Sequence, residues 1–255
     1  MSEWAHVLIN LIMKRFIADL HIHSCLSPCA ELDMTPRRII DTAVARGIDI
    51  IAISDHNSAE NLETTMRIAQ NKDITVLPAM EITSYEEAHI LALFSSVEHA
   101  ATMQDIVYGS LPKGVNDERY TGYQLIVNEA DEIITFNKRL LINATSLSIK
   151  DLVDAIHSMG GLAVAGHIDR EIFSVISQLG FISDDMAFDA LEISCNTEKS
   201  RAEAVFKEYA RFPWITSSDA HNLQDIGRRT TAFFLEEASF DEIARAFKGD
   251  GKIEW

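Results

Sequence analysis

The sequence predicts an α/β protein built on a mainly parallel sheet, at the size of one barrel. Three observations lead there. Short apolar runs of strand length alternate with helix-length segments over most of the chain, as in a parallel sheet covered by helices. Histidines and carboxylates recur at the ends of those runs, and in a barrel of parallel strands those ends share the face where active sites are built. The chain has 255 residues and shows no internal repeat or low-complexity linker, which suits a single α/β barrel. The domain is therefore drawn over 14–255, with residues 1–13 as an N-terminal extension.

The first strand runs through Phe16, Ile17, Ala18 and Leu20 into His21-Ile22-His23. Side chains two apart on a strand share a face, so His21 and His23 stand side by side. A polar loop, Ser24 to Met34, follows. Thr35-Pro36 then opens a helix with an apolar face of Ile39, Ile40, Ala43 and Val44, stopped by Gly47. Asp49 to Ser54 is a strand ending in Asp55-His56-Asn57, and a helix spans about Ala59 to Gln70. Ile74 to Met80 is a third strand ending in Glu81. Ala88 to Phe94 is a fourth, with His89 at its start rather than its end.

The middle of the chain breaks the pattern. Gly109 to Tyr123 is polar, and residues 124–127, 132–136 and 140–142 read as short strands between polar turns. An antiparallel insertion over about 109–143 is predicted, as a lid or small subdomain. Alternation resumes with a helix capped by Ser148 and running through Ser158. Leu162 to Ala165 is a strand ending in Gly166-His167, and Phe188 to Ser194 another. A helix from Thr197 to about Arg211 follows. Trp214 to Ser218 is a strand ending in Asp219-Ala220-His221. Thr231 to Leu235 is the last strand and Ser239 to Lys248 the last helix.

Composition narrows the function. The apolar fraction of 47% allows a full core, and the formal net charge is −17. That balance argues against an extended phosphate-tracking surface, which needs a basic stripe. It leaves a phosphorylated substrate open, because bound cations supply positive charge locally. Cys25, Cys29 and Cys195 are too few for a disulfide framework and fit a reducing, cytoplasmic setting. Trp4 to Met13 is apolar but too short to span a bilayer. It is either an extra preceding a start at Met13 or a short helix lying on the domain, and no membrane association is expected.

Nine side chains converge by this reading: His21, His23, Asp55, His56, Glu81, His89, His167, Asp219 and His221. They include six of the nine histidines in the chain. Imidazoles with carboxylates suit zinc, manganese or iron. The set is too large for one ion, so two or three ions with a bridging carboxylate are implied. Clustered ions activate water and clamp phosphoryl oxygens, which is the chemistry of phosphoester hydrolysis.

The stretches Asp19-Leu20-His21-Ile22-His23-Ser24, Ser54-Asp55-His56-Asn57, Glu81 to His89, Gly166-His167 and Ser218-Asp219-Ala220-His221 resemble, in order, the motifs of the polymerase and histidinol phosphatase (PHP) superfamily. The resemblance implies a distorted (β/α)7 barrel, a trinuclear metal cluster and hydrolysis of phosphomonoesters or phosphodiesters. It implies that His21, His23, Glu81 and Asp219 hold a first ion. Glu81 would bridge to a second, completed by His89 and His167, and His56 and His221 would hold a third. Asp55 would orient a ligand. Arg170, whose guanidinium fork suits phosphate oxygens, resembles the family's phosphate-binding arginine; the bland alternative is an ion pair with Asp169 or Glu171. Asp219, His221 and Arg170 are the candidate catalytic residues.

The sequence departs from the family pattern after the first motif, where many members carry an Asp or His ligand. Here Cys29 would serve as a thiolate ligand, or Glu31 or Asp33 would reach in, or the loop holds only a free cysteine. Ile168 stands where a proline is usual. Asn57, Glu192, Asn196 and Ser217 are further rim candidates, while His6, His99 and His157 read as ordinary histidines. The leading expectation is a metal-dependent phosphatase for a small phosphomonoester, such as a nucleotide or a histidinol-phosphate-like metabolite, using a metal-activated water. The alternatives are a phosphodiesterase or exonuclease on oligonucleotide ends, and a metal-loaded regulatory protein without turnover.

Overall fold

A computed structural model describes residues 13–255; the predicted reading of residues 1–12 lies outside the described residues. The expected helix starts hold where the local chemistry is strongest. Pro36 opens α1 (Pro36–Ala45) behind Thr35. Between them β1 (Lys14–Ile22) and β2 (Ile50–Ile53) pair in parallel, as β2 does with β3 (Thr75–Thr83) across α2 (Leu62–Ala69).

β4 (His89–Leu93) departs from the expected parallel sheet. It returns from β3 through a tight connection and runs antiparallel to it, and its other edge is antiparallel to β7 (Leu162–Ala165). This reversal explains His89. The amino end of β4 lies at the same rim as the carboxyl ends of its neighbours, so a residue at the start of this strand joins residues at the ends of the others.

α3 (Val97–Ser110), capped by Ser96, leads into the insertion. There α4 (Glu118–Thr121) precedes a two-stranded antiparallel sheet, β5 (Leu125–Val127) with β6 (Ile133–Phe136). The third strand expected at 140–142 is instead a turn. α5 (Ile149–Ser158) begins at Ser148 with a reciprocal capping box to Asp151. β7 (Leu162–Ala165) matches the expected strand, and the short α6 (Val175–Leu179) was not anticipated. β8 (Ala190–Ile193) and β9 (Trp214–Thr216) continue the parallel order. The long helix expected from Thr197 is only α7 (Lys199–Val205) followed by a 3₁₀ turn at Lys207–Tyr209. β10 (Thr231–Leu235) pairs antiparallel with β1 and β11 (Lys252–Glu254) antiparallel with β10, and α8 (Phe240–Phe247) lies between β10 and β11 in sequence.

The strand order is β11-β10-β1-β2-β3-β4-β7-β8-β9. Seven of these strands form a nearly closed barrel. The ends meet where Ile22 bridges Ala220 and His23 N donates to Ala220 O at 3.0 Å. Side-chain parity divides the core. Ala52, Ala79, Leu91, Val164, Ala190 and Ile215 pack inside the barrel with Ile243 and Phe247 of α8. Ile51, Ile53, Met80, Ile90 and Ala163 face the helices. Two residues beyond the inner set, the same face carries Glu81, His89 and Glu192 at the rim.

β1 breaks parity on the way. Ala18 and Leu20 belong to the inner cluster but Ile22 to the outer one, and the β1–β2 register shifts between Asp19 and Ile22. An irregularity of this kind re-aims side chains beside functional sites. It swings both His21 and His23 to the rim, where plain alternation after Leu20 would have sent them outward.

Candidate metal centre

Glu81 is the hub. It is 1% exposed, and its two oxygens are approached by five imidazoles. Oε1 lies 3.2 Å from His21 Nε2, 2.7 Å from His89 Nδ1 and 3.3 Å from His167 Nε2. Oε2 lies 3.0 Å from His56 Nδ1 and 3.4 Å from His23 Nε2. Asp219 faces the same histidines from the other side. Its Oδ1 is 3.4 Å from His21 Nε2 and 3.2 Å from His23 Nε2. His167 and Asp219 have φ of 26° and 50°, a sparsely populated conformation for residues with side chains and one that clusters at functional sites.

The ring nitrogens turned away from the hub have partners that fix which nitrogen faces inward. His21 Nδ1 donates to Glu192 Oε2 at 3.0 Å. His23 Nδ1 donates to Ser27 Oγ at 3.0 Å, and Ser27 Oγ donates to Asp55 Oδ1 at 2.7 Å. Asp55 also accepts from Ser24 N at 2.7 Å and Ser24 Oγ at 2.6 Å. Its carboxylate is thus occupied in holding the loop, and it acts on His23 through Ser27 rather than on its neighbour His56. Carboxylate-backed imidazoles are the usual surroundings of metal-bound histidine.

These contacts fit cations. With Nδ1 of both rings donating outward, the Nε2 lone pairs of His21 and His23 face each other at 3.2 Å, an arrangement that a shared ion stabilises. Donors bound to one tetrahedral ion at roughly 2.0–2.2 Å stand about 3.3–3.5 Å apart, close to the separations among His21, His23, Glu81 and Asp219. Among the described residues, three groups have ligand atoms all within 4.8 Å of one another: His21, His23 and Glu81; His56, Glu81 and His89; and His23, Cys29, His56 and His221. His167 Nδ1 and Ser217 Oγ are buried without hydrogen-bond partners.

The field is negative and suited to positive charge. Burial opposes ionisation of Glu81, but His89, His21 and His56 outweigh it and hold the carboxyl well below its ordinary range. Asp219 is likewise held low against burial, by His21 and His23. Burial also works against a proton on His21, yet Asp219, Glu192 and Glu81 raise its pKa well above the usual value. Burial pushes His89 down to about 4.

The other candidates divide. Arg170 pairs with Asp219, not with Asp169 or Glu171, so its guanidinium stands over the centre; Asp169 instead accepts from Ser194 N and Oγ, each at 2.7 Å. His221 donates from Nδ1 to the Asp219 carbonyl at 2.9 Å. Asn57 is occupied in fastening the insertion, donating to Leu141 O at 2.7 Å and Asn143 O at 2.9 Å. Asn196 lies away from the hub near Arg228. His157 pairs with Asp189 at 2.8 Å on the surface. Ser27 was not anticipated, and no sequence signal marks it. Phe173 was also missed: its ring stacks on His89 with centroids 4.8 Å apart, and its carbonyl accepts from His89 N at 2.9 Å.

Residues 19–212 match the PHP domain family, and residues 197–250 match a PHP-associated segment. The chain belongs to the PHP family. It is 25% identical over 276 residues to an uncharacterized Bacillus subtilis protein, YqxK, covering 94% of this chain and 64% of the relative. It is 23% identical over 184 residues to the uncharacterized protein MJ1587 of Methanocaldococcus jannaschii, covering 69% of this chain and 80% of that one. Among solved structures, the PHP chain resembles a lesion-specific endonuclease Q from Pyrococcus furiosus, with a TM-score of 0.73 and 17% identity, over 94% of this chain and 57% of that one. It also resembles a proposed metal-dependent phosphoesterase from Bifidobacterium adolescentis, with a TM-score of 0.59 and 20% identity, over 92% and 96% of the two chains. The chain therefore spans under two thirds of the length of both YqxK and the endonuclease. In family and fold it is like the metal-dependent phosphoesterases. Among the described residues, no helix is long and apolar enough to cross a membrane.

Proposed function

We propose that this PHP chain is a metal-dependent hydrolase of phosphoesters, acting on a small phosphomonoester such as a nucleotide. One observation carries the reading: a buried glutamate touched by five imidazoles, with Asp219 opposite and an arginine over the opening. His21, His23, Glu81 and Asp219 would hold a first ion. Glu81, His89 and His167 would hold a second, and His56 and His221 belong to a third. Zinc, manganese or iron held by these residues would supply an activated water and positive charge against the phosphoryl oxygens.

The chain's own groups do the rest. Glu192 and the Ser27–Asp55 pair hold His21 and His23 with Nε2 inward. Arg170, about one-third exposed, offers the remaining face of its guanidinium to phosphate oxygens. His221 donates through Nδ1 to the Asp219 carbonyl, which leaves its Nε2 lone pair for the third ion. The formal charge of −17 favours a small substrate over a long polyanion.

A second reading has its own support, since the likeness to the lesion-specific endonuclease Q extends over 94% of this chain. Metal content per chain should be measured beside hydrolysis of p-nitrophenyl phosphate, nucleoside monophosphates and short oligonucleotides, with added manganese or zinc. Release of phosphate from the small esters is expected. Turnover of oligonucleotides alone would replace the monoester reading with the nuclease one. Metal-loaded protein inert toward all of them would overturn both.

A further inference from the structure

The loop between His23 and Met34 departs from the family pattern, and the structure narrows its three candidate ligands. Asp33 pairs with Arg38 at 2.8 Å on the surface. Glu31 is exposed, and its backbone N–H is used by His221 O at 2.8 Å. Cys29 alone reaches the centre, where its sulfur joins nitrogens of His23, His56 and His221 within 4.8 Å. The rings form a closed set: His23 stacks on His221 at 4.2 Å between centroids and lies 4.6 Å from His56. His56 is 4% exposed, with its Nδ1 turned to Glu81 Oε2 at 3.0 Å.

The loop is built to present Cys29. Ser27 N bonds Ser24 O and Ala30 N bonds Ser27 O, each at 3.0 Å, so two tight turns bracket it. Gly122 of the insertion presses on the preceding residue; a Cβ there would stand 2.3 Å from Pro28 O. The insertion thus backs the turn that carries the thiol.

We propose that Cys29 is a thiolate ligand of the third ion, together with His56 and His221, so that this position selects a thiophilic cation such as zinc or iron over manganese. The inference rests on the metal-dependent reading above. Sulfur donors favour such ions, while oxygen-rich sites suit manganese and magnesium. On binding, the sulfur gives its proton to solvent and its electron pair to the cation. No oxidant or reductant is needed.

Cobalt(II) is the probe, because a thiolate ligand gives it a near-ultraviolet charge-transfer band that nitrogen and oxygen ligands do not. The full chain, stripped of metal and titrated with cobalt, should show that band together with the visible bands of bound cobalt. Cys29→Ser should lose the charge-transfer band and bind one ion fewer per chain. Cys29→Asp should keep the ion count and lose only the band. Zinc should also slow alkylation of Cys29 by iodoacetamide by at least roughly tenfold, mapped by peptide mass spectrometry on the wild-type chain. Visible cobalt bands without charge transfer, with Cys29 alkylated equally fast in either state, would overturn the thiolate while leaving the metal centre standing. No cobalt binding at all would overturn the metal centre itself.

Discussion

The two halves of the centre are built differently. Around Glu81, His21 and His167, every ligand side chain is at most 9% exposed, and two of the rings are braced by Glu192 and by Ser27 with Asp55. Around Cys29 and His221 the site opens. Cys29 is exposed, the His221 side chain is 31% exposed, and His221 is braced only by a backbone carbonyl. A buried, braced half holds its geometry whether or not substrate is present. An open half set on a loop exchanges its ion more readily. We expect the inner half to set the chemistry and the outer half to set which metal the protein responds to.

The contrast breaks first at its hub. Glu81→Gln keeps the size of the side chain and removes the charge that five imidazoles share. Two ions should be lost by elemental analysis, and phosphoesterase activity should fall by about 10³-fold or more, since each bound ion stabilises transition-state charge by several kcal/mol. Near-wild-type turnover in this variant would show that the hub is structural. Glu192→Gln tests the bracing with a smaller change. Its carboxylate holds His21 and also accepts from His167 N at 3.1 Å. Loss of a partner behind a metal-bound histidine typically costs about 10–100-fold in affinity or activity. That loss should appear in the inner ions while cobalt charge transfer from Cys29 is unchanged.

Much of this layout was legible in the sequence, for definite reasons. The parity of Ala79 and Ala190 carries Glu81 and Glu192 to one face, and Ser148 announces its helix because capping is local chemistry. What escaped depends on pairing. Nothing in Ala88 to Phe94 says that the strand runs backwards, and only that reversal places His89 beside His167, Nδ1 to Nε2 at 3.3 Å. The register shift in β1 is equally silent, although His21 and His23 reach the rim through it. Residues 140–142 have strand composition but form a turn, in which Leu141 O accepts from Asn57 and Leu140 O from Asn143 N. Glu192 appeared only as a rim candidate, since its partner lies 171 residues away. Ser27 gave no signal at all.

The smallest perturbation comes from outside the centre and touches no ligand. Gly122 has φ of 94° and meets Pro28 O head-on, so Gly122→Ala adds both backbone strain and a collision. Its ψ of 170° puts it in an extended positive-φ region that is essentially glycine-only, where the strain alone costs roughly 1–3 kcal/mol, and the Pro28–Cys29 turn is the nearest structure that can yield. The inner ions stand on β1, β3, β4, β7 and β9, whereas the atoms nearest a Cβ at Gly122 all belong to Pro28. The expected result is a several-fold weaker third ion by cobalt titration, seen in the charge-transfer band, with the tightly bound ions and the unfolding cooperativity of the barrel unchanged. Equal weakening of all ions would mean that the insertion braces the whole rim and that the two halves are mechanically one. An unchanged charge-transfer titration would separate the insertion from the thiol, and the Cys29 turn would then owe its shape to the Ser24 and Ser27 bonds alone.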